Sequence, residues 1–244
     1  MIPYPLTAAL VAFPLSRFSE TVAAAIFLGG SSALLAFGLL REGPWWRLLA
    51  FASGPYYAAL QCAQWSPLMM AITFFPALLP LCLAKPQFAI PVAIPKLTRR
   101  RIVACAGFVI LSLAIDPTWP SRWLARIGAY RGFVPIVAFP PLALAALRWR
   151  DPRARHLTLM ACMPQHVFLY DSLLLWTLPR SLLEMLLLTT ASWMTILVGM
   201  NFLDFRVWGG VLTSLGVYLP ALAIVLSEIT GKEIRGRIPV RSQP

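Results

Sequence analysis

Apolar runs of about membrane length fill most of this chain and constrain its fold more than any other feature. Runs of roughly 20 apolar residues match the ~30 Å hydrocarbon layer of a bilayer. A soluble domain would show polar faces at helical or strand period, whereas here 59% of the residues are hydrophobic and 12% are charged. The sequence therefore predicts an all-α fold, a multi-pass transmembrane helical bundle with broken and half-spanning helices. The predicted crossings lie at about 19–40, 47–64, 66–84, 101–116, 133–148, 182–202 and 207–227.

Two stretches do not fit a simple crossing. The apolar residues 6–15 are too few to span, so 1–18 is predicted to be an outer half-helix or an interfacial segment. Residues 153–178 contain two apolar stretches separated by Pro164, and form either one straight span or two short crossings. A break at Pro164 is preferred because it returns the basic tail, 228–244, to the cytoplasmic side. We therefore predict one integral membrane domain over 1–244 in the cell membrane, with a cytoplasmic C-terminus.

The net charge of +12 is concentrated in short loops between the apolar runs and in the tail. In a soluble chain, such an excess would suggest nucleic-acid binding. Basic loops next to membrane spans instead set orientation and attract anionic lipid headgroups. We therefore expect membrane lipids, and no nucleic acid, among the partners. The four cysteines stand singly in apolar runs and the two histidines lie ten residues apart, so neither a disulfide framework nor a zinc site is predicted and no cofactor is implied.

Polar side chains within apolar runs are the best pointers to function, because burying them in lipid is costly. Tyr57, Gln61 and Gln64 lie at the outer end of the second crossing. Amides and phenols on one helix face suit a hydroxyl-rich ligand such as a sugar. Hydrogen bonding between helices, with an aromatic belt at the interface, explains the same residues equally well.

The outer segment from Asp116 to Arg131 carries arginines on the side where positive charge is otherwise scarce. Arg122, Arg126 and Tyr130 are spaced by four and share one side of a short helix. Because arginine binds phosphate bidentately, we interpret Arg122 and Arg126 as ligands of a lipid phosphate. Contact with bulk anionic lipid is the alternative.

A third polar group contains His166, Tyr170 and Asp171, after the break at Pro164. A carboxylate inside an apolar run must be paired or solvated. We interpret this group as lining a cavity, the alternative being a structural pair between Asp171 and a neighbour such as Arg180 or His166. Lys85 ends the third predicted crossing and is expected to extend to the headgroups at the cytoplasmic end, far from an outer-face reaction.

In order along the chain, several short motifs resemble glycosyltransferase family 87, the polyprenol-phosphate-sugar-dependent mannosyltransferases. They are Tyr4-Pro5-Leu6 with a later Pro14-Leu15, Ala63-Gln64 in an outer turn, Lys85-Pro86-Gln87 after a helix, and Pro164 before Tyr170-Asp171. The resemblance covers about residues 1–180. Leu6 stands where the family has a second proline, and Ala63 where it has a glycine.

The resemblance implies a multi-pass enzyme that transfers a sugar, usually mannose, from a polyprenyl-phosphate donor to a lipid or glycan acceptor. In this family an essential acidic residue precedes the Tyr-Pro-Pro motif, where this chain begins. The resemblance therefore implies that the chain corresponds to a C-terminal part, with a separate N-terminal half as an expected partner. Asp171 and Asp116 are the substitutes for the missing base.

Two hypotheses follow for the function. The first is a membrane glycosyltransferase, in which Arg122 and Arg126 hold the lipid phosphate while a second set of residues lines the sugar cavity: Gln61, Gln64, His166 and Tyr170. The second is a non-catalytic accessory or lipid-binding protein that retains the fold. A transporter would predict paired repeats, which the sequence does not show.

Overall fold

The chain is nearly all helical in a computed structural model that describes residues 4–127 and 132–236, with residues 127 and 228–236 described by backbone alone. The α-helices are α1 (Leu6–Ala12), α2 (Glu20–Glu42), α3 (Gly54–Gln61), α4 (Ser66–Ile72), α5 (Pro86–Ala93), α6 (Arg99–Ile115), α7 (Trp119–Ile127), α8 (Pro135–Ala138), α9 (Pro152–Cys162), α10 (Leu182–Asn201), α11 (Phe205–Thr213) and α12 (Leu219–Gly236). The predicted basic tail and the residues Tyr130 and Arg131 lie outside the residues whose side chains are described.

Helices of 3₁₀ type fill much of the remaining chain, at Phe13–Leu15, Trp45–Ala52, Pro76–Ala84, Ile94–Lys96, Pro140–Arg148 and Tyr170–Thr177. A π-helical turn, Ser214–Tyr218, joins α11 to α12. Two short strands, β1 (Gly132–Phe133) and β2 (Gln165–His166), pair antiparallel, with Gly132 opposite His166. The all-α prediction is therefore correct apart from this one pair.

Side-chain caps explain where several helices begin. Ser53 accepts a hydrogen bond from the Tyr56 amide at the start of α3, and Ser181 accepts one from the Glu184 amide at the start of α10. These side chains satisfy backbone donors that have no partner inside the helix. Three further helices start in the same way, α6 at Thr98, α9 at Asp151 and α11 at Asp204.

In the described part of the chain, three helical stretches are long and apolar enough to cross a membrane: Glu20–Glu42, Leu182–Asn201 and Phe205–Ser227. They coincide with the predicted crossings 19–40, 182–202 and 207–227. A fourth results if α6 and α7, bent by 97° from each other, count as one broken span. The crossing predicted at 101–116 is also one continuous helix, α6. The crossings predicted at 47–64, 66–84 and 133–148 are not continuous helices, because prolines divide them into shorter α and 3₁₀ pieces.

Residues 66–84 form a helical hairpin, where one crossing was predicted. At its closed end, Arg41 near the end of α2 donates to the Phe74 carbonyl at 2.8 Å, and the Phe37 and Phe75 rings stack at 5.9 Å. The chain then returns through Pro76–Ala84, where the Leu83 carbonyl accepts a 2.6 Å hydrogen bond from Thr7 in α1. Pro76 and Pro80 remove backbone donors, which prevents α4 from continuing past the turn. The hairpin brings Lys85 back to the level of α1.

The predicted break in 153–178 is confirmed. Helix α9 ends at Cys162, β2 follows Pro164, and the chain resumes as the buried 3₁₀ segment Tyr170–Thr177. That segment packs against α3 and α4. The break therefore places Asp171 in the centre of the molecule rather than along a lipid-facing helix.

Candidate functional site: an arginine cavity and a buried ion pair

Lys85 and Asp171 form an ion pair at the centre of the protein. The Lys85 side chain is 4% exposed and Asp171 is fully buried, and the Lys85 ammonium donates to Asp171 Oδ1. The ammonium also lies 4.9 Å from the ring centroids of Phe88 and Tyr170, at cation–π distance. The expectation that Lys85 extends to the headgroups is therefore wrong, because the 66–84 hairpin turns it into the core.

The second carboxylate oxygen of Asp171 is also occupied. The His166 backbone amide donates to Asp171 Oδ2 at 2.9 Å, and the His166 ring stacks on Tyr170 with centroids 5.2 Å apart. Asp171 thus holds Lys85 and the start of β2 together. The interpretation that this group lines a cavity is therefore wrong for Asp171. The alternative, a structural pair, is the arrangement observed, and the partners of Asp171 are Lys85 and the His166 backbone amide.

Burial lowers the pKa of His166, while the charge of Asp171 raises it and that of Lys85 lowers it again. The net pKa lies below the ordinary value of about 6.5. His166 is therefore neutral at pH 7. Its ring adds no positive charge next to the Lys85–Asp171 pair.

The strongest candidate site is a cavity of about 420 Å³ between α1 and α7, which we call the arginine cavity. Helix α7 turns the Arg122 and Arg126 side chains to one wall, as their spacing of four predicts. The full lining is Tyr4, Pro5, Leu6, Ala8, Ala9, Ala12, Trp65, Trp119, Arg122, Trp123 and Arg126. Two cations above an aromatic and aliphatic floor suit an anionic ligand that also presents a hydrophobic or sugar face.

The floor of the arginine cavity connects to the predicted Gln64 site. The Tyr4 hydroxyl donates to Gln64 Oε1 at 3.0 Å, and the Tyr4 and Trp65 rings lie 6.2 Å apart. Burial, followed by the charge of Asp171, raises the pKa of Tyr4 to about 12, so the phenol keeps its proton and remains a donor. Tyr4 and Trp65 were not predicted as site residues; the aromatic pair beside a glutamine was the available signal.

Asp116 lies at the edge of the same cavity. Its carboxylate accepts hydrogen bonds from the Thr118 hydroxyl and amide, at 2.8 and 3.0 Å, and pairs with Arg122 through Oδ2. The Thr118 hydroxyl chiefly lowers the pKa of Asp116, and Arg122 lowers it further. The group is thus ionised at neutral pH, in the form that a general base requires.

Gln61 lies apart from this site. It lines an apolar pocket of about 230 Å³ with Tyr57, Phe168 and Leu169, away from both arginines. The structure therefore divides the predicted sugar-binding set among three places: Gln64 is buried behind Tyr4 and does not line the arginine cavity, Gln61 lines the apolar pocket, and His166 lies with Tyr170 at the ion pair. Helix α3 ends between the two glutamines and turns them in different directions.

Ala63 accounts for that change of direction. It adopts φ +46°, in the left-handed region that favours glycine, and Leu169 before Tyr170-Asp171 has φ +28°. A glycine in place of Ala63 would adopt this conformation without steric cost.

Among the described side chains, no group of three or more His, Cys, Asp or Glu residues lies close enough to hold a metal ion. Comparisons of the chain with models of protein families, with curated proteins and with solved structures found no match.

Proposed function

We propose that this protein is a membrane glycosyltransferase that takes a sugar, most simply mannose, from a polyprenyl-phosphate donor to a lipid or glycan acceptor at the outer face. The observation that carries the proposal is the arginine cavity, where Arg122 and Arg126 face Tyr4 and Trp65. Arginine forks match phosphate oxygens. Aromatic faces next to them suit a sugar ring or the first isoprene units.

In this proposal each residue of the cavity has a role that follows from its position. Arg122 and Arg126 bind the donor phosphate, and Tyr4 and Trp65 present aromatic faces to the sugar. Gln64 lies outside the lining and holds the Tyr4 hydroxyl in place. The acceptor hydroxyl oxygen bonds to the anomeric carbon while the bond from that carbon to the phosphate oxygen breaks. The lipid phosphate leaves with the electron pair.

Asp116 is the candidate for the group that takes the acceptor proton. It is ionised, partly exposed and adjacent to the cavity through Arg122. Asp171 is a poorer candidate, because it is fully buried and paired with the buried Lys85, whereas the oxygens of Asp116 are bonded to exposed groups, Thr118 and Arg122. In the proposed enzyme Asp171 therefore supports the structure.

A second candidate function is a non-catalytic one. The burial of Asp171 supports it, because this carboxylate is not accessible to act as a base. If Asp116 does not act as a base, the cavity still binds a lipid phosphate, and the protein is an accessory or lipid-binding protein. Binding without transfer distinguishes this hypothesis from the first.

The test is a transfer assay in liposomes containing polyprenyl-phosphate-mannose and a lipid acceptor, with donor binding measured in parallel. For an enzyme, Asp116→Asn should lower transfer about 10²- to 10⁴-fold, the usual contribution of a positioned base. It should not weaken donor binding, since it releases Arg122. Asp204→Asn, at the cap of α11, is the matched control. Donor binding without transfer in the wild type would reject the enzyme hypothesis, and no donor binding would reject both.

A further inference from the structure

A second cavity adjoins the arginine cavity. It has a volume of about 710 Å³ and lies between α1 and the first half of α2. The two cavities share three lining residues: Ala9, Ala12 and Trp65. We call this second cavity the alanine groove.

The lining of the alanine groove is apolar apart from Ser16 and Glu20, and it combines five alanines with five larger hydrophobic residues. Ala23 and Ala24 of α2 face Ala9 and Ala12 of α1, and Phe27 closes the inner end beside Trp65, with ring centroids 4.8 Å apart. Alanines on both sides leave an open trough between two helices. An apolar trough of about 710 Å³ accommodates a flexible hydrocarbon chain.

The charged residues in the linings of the two connected cavities have opposite signs. Arg122 and Arg126 line one of them, whereas the acidic residue Glu20 lines the other at the start of α2. An anionic headgroup is attracted to the arginines and repelled by Glu20. An anionic amphiphile therefore binds in one orientation only, with its apolar chain towards the groove.

We propose that the alanine groove holds the prenyl chain of the lipid phosphate whose headgroup occupies the arginine cavity. This inference rests on the proposed function and assigns the chain of the donor to the trough between α1 and α2. In a bilayer the chain is already surrounded by hydrocarbon, so burial in the groove adds little hydrophobic free energy. The groove instead selects by shape, and α1 acts as a wall between chain and core.

The experiment uses a prenyl phosphate with a photoreactive diazirine on a chain isoprene, added to the protein in lipid nanodiscs. Labelled positions are identified by mass spectrometry after illumination. We expect labelling within residues 9–27 and at Ala63 or Trp65, which also line the groove, and suppression by excess unlabelled prenyl phosphate. The Arg122→Gln/Arg126→Gln double variant should lose this labelling, because the headgroup no longer anchors the chain.

A pair of groove variants provides the steric control. Ala23→Trp fills the trough, whereas Ala25→Trp places the same side chain on an exposed face of α2, outside the groove lining. We expect Ala23→Trp to lower prenyl-phosphate affinity about tenfold or more and to leave inorganic phosphate binding unchanged. Ala25→Trp should change neither.

Each other outcome overturns the inference and separates it from the proposed function. Groove labelling that persists in the arginine double variant means that bulk lipid fills the groove. Arginine-dependent binding of prenyl phosphate with labelling only outside the groove moves the chain elsewhere and leaves the phosphate site intact. An absence of both phosphate binding and groove labelling rejects the proposed function together with the inference.

Discussion

The ion pair Lys85–Asp171 and the ion pair Arg122–Asp116 have the same chemistry and opposite surroundings. In the first, both side chains are buried, with the ammonium against two aromatic rings. In the second, Arg122 is 60% exposed and lines a cavity. A buried pair cannot exchange its partner without leaving an unpaired charge in the core. An exposed pair exchanges its partner at little cost, so the first pair is fixed in the core and the second can bind a ligand.

Breaking the buried pair should have the largest effect. Lys85→Met leaves the Asp171 carboxylate in the core without its counter-charge and should destabilise the protein by about 3–5 kcal/mol. Thermal or denaturant unfolding in detergent measures this loss. The double variant Lys85→Met/Asp171→Asn removes both charges and keeps an acceptor for the His166 amide. It should recover most of the stability; a double variant as unstable as the single one would contradict the pairing.

Breaking the exposed pair should affect binding rather than stability. Arg122→Gln removes a charge-assisted hydrogen bond to phosphate and should weaken prenyl-phosphate binding about tenfold to a hundredfold. The unfolding midpoint should not change. Arg206→Gln, at an exposed position in α11, is the control for net charge. Equal losses in both variants would indicate attraction by overall charge and not by the cavity.

The turn at Ala63 lies between the two regions and offers a smaller test. Ala63→Gly relieves the left-handed conformation, which costs an L-residue roughly 1–2 kcal/mol, but adds unfolded-chain entropy of about 0.4–1 kcal/mol. We expect a net stabilisation of about 0.5–1 kcal/mol. Ala58→Gly, within α3, should instead destabilise by about 1 kcal/mol. A loss of stability in both variants would exclude strain at Ala63.

Lowering the pH should destabilise the two regions over different pH ranges. This is the smallest of the expected effects on stability. The pKa of His166 is lowered on folding, so the unfolded chain binds its proton first, and stability falls as pH drops below the unfolded value of about 6.5. The pKa of Asp116 is also lowered, and its contribution is lost only near and below about 3.9. Unfolding midpoints measured from pH 8 to pH 5 in wild type and His166→Gln should diverge. Parallel curves would contradict the lowered pKa.

The sequence predicts best those features that depend on local pattern. The long apolar helices, the break at Pro164 and the shared face of Arg122 and Arg126 all follow from spacing or composition within one segment. The hairpin at 66–84 was missed because hydropathy does not record that a chain reverses direction. The partner of Asp171 was missed because Lys85 is separated from it by 86 residues and has no local signature.

The hairpin also sets an order for the biogenesis of this protein. During synthesis the N-terminal part of a chain emerges first, so Lys85 leaves the ribosome before its counter-ion has been made. Until Tyr170–Thr177 is translated and docks against α3 and α4, the ammonium has no carboxylate to meet in the core. The ion pair that fixes the end of the return arm can therefore close only after a segment 86 residues further along the chain has been translated.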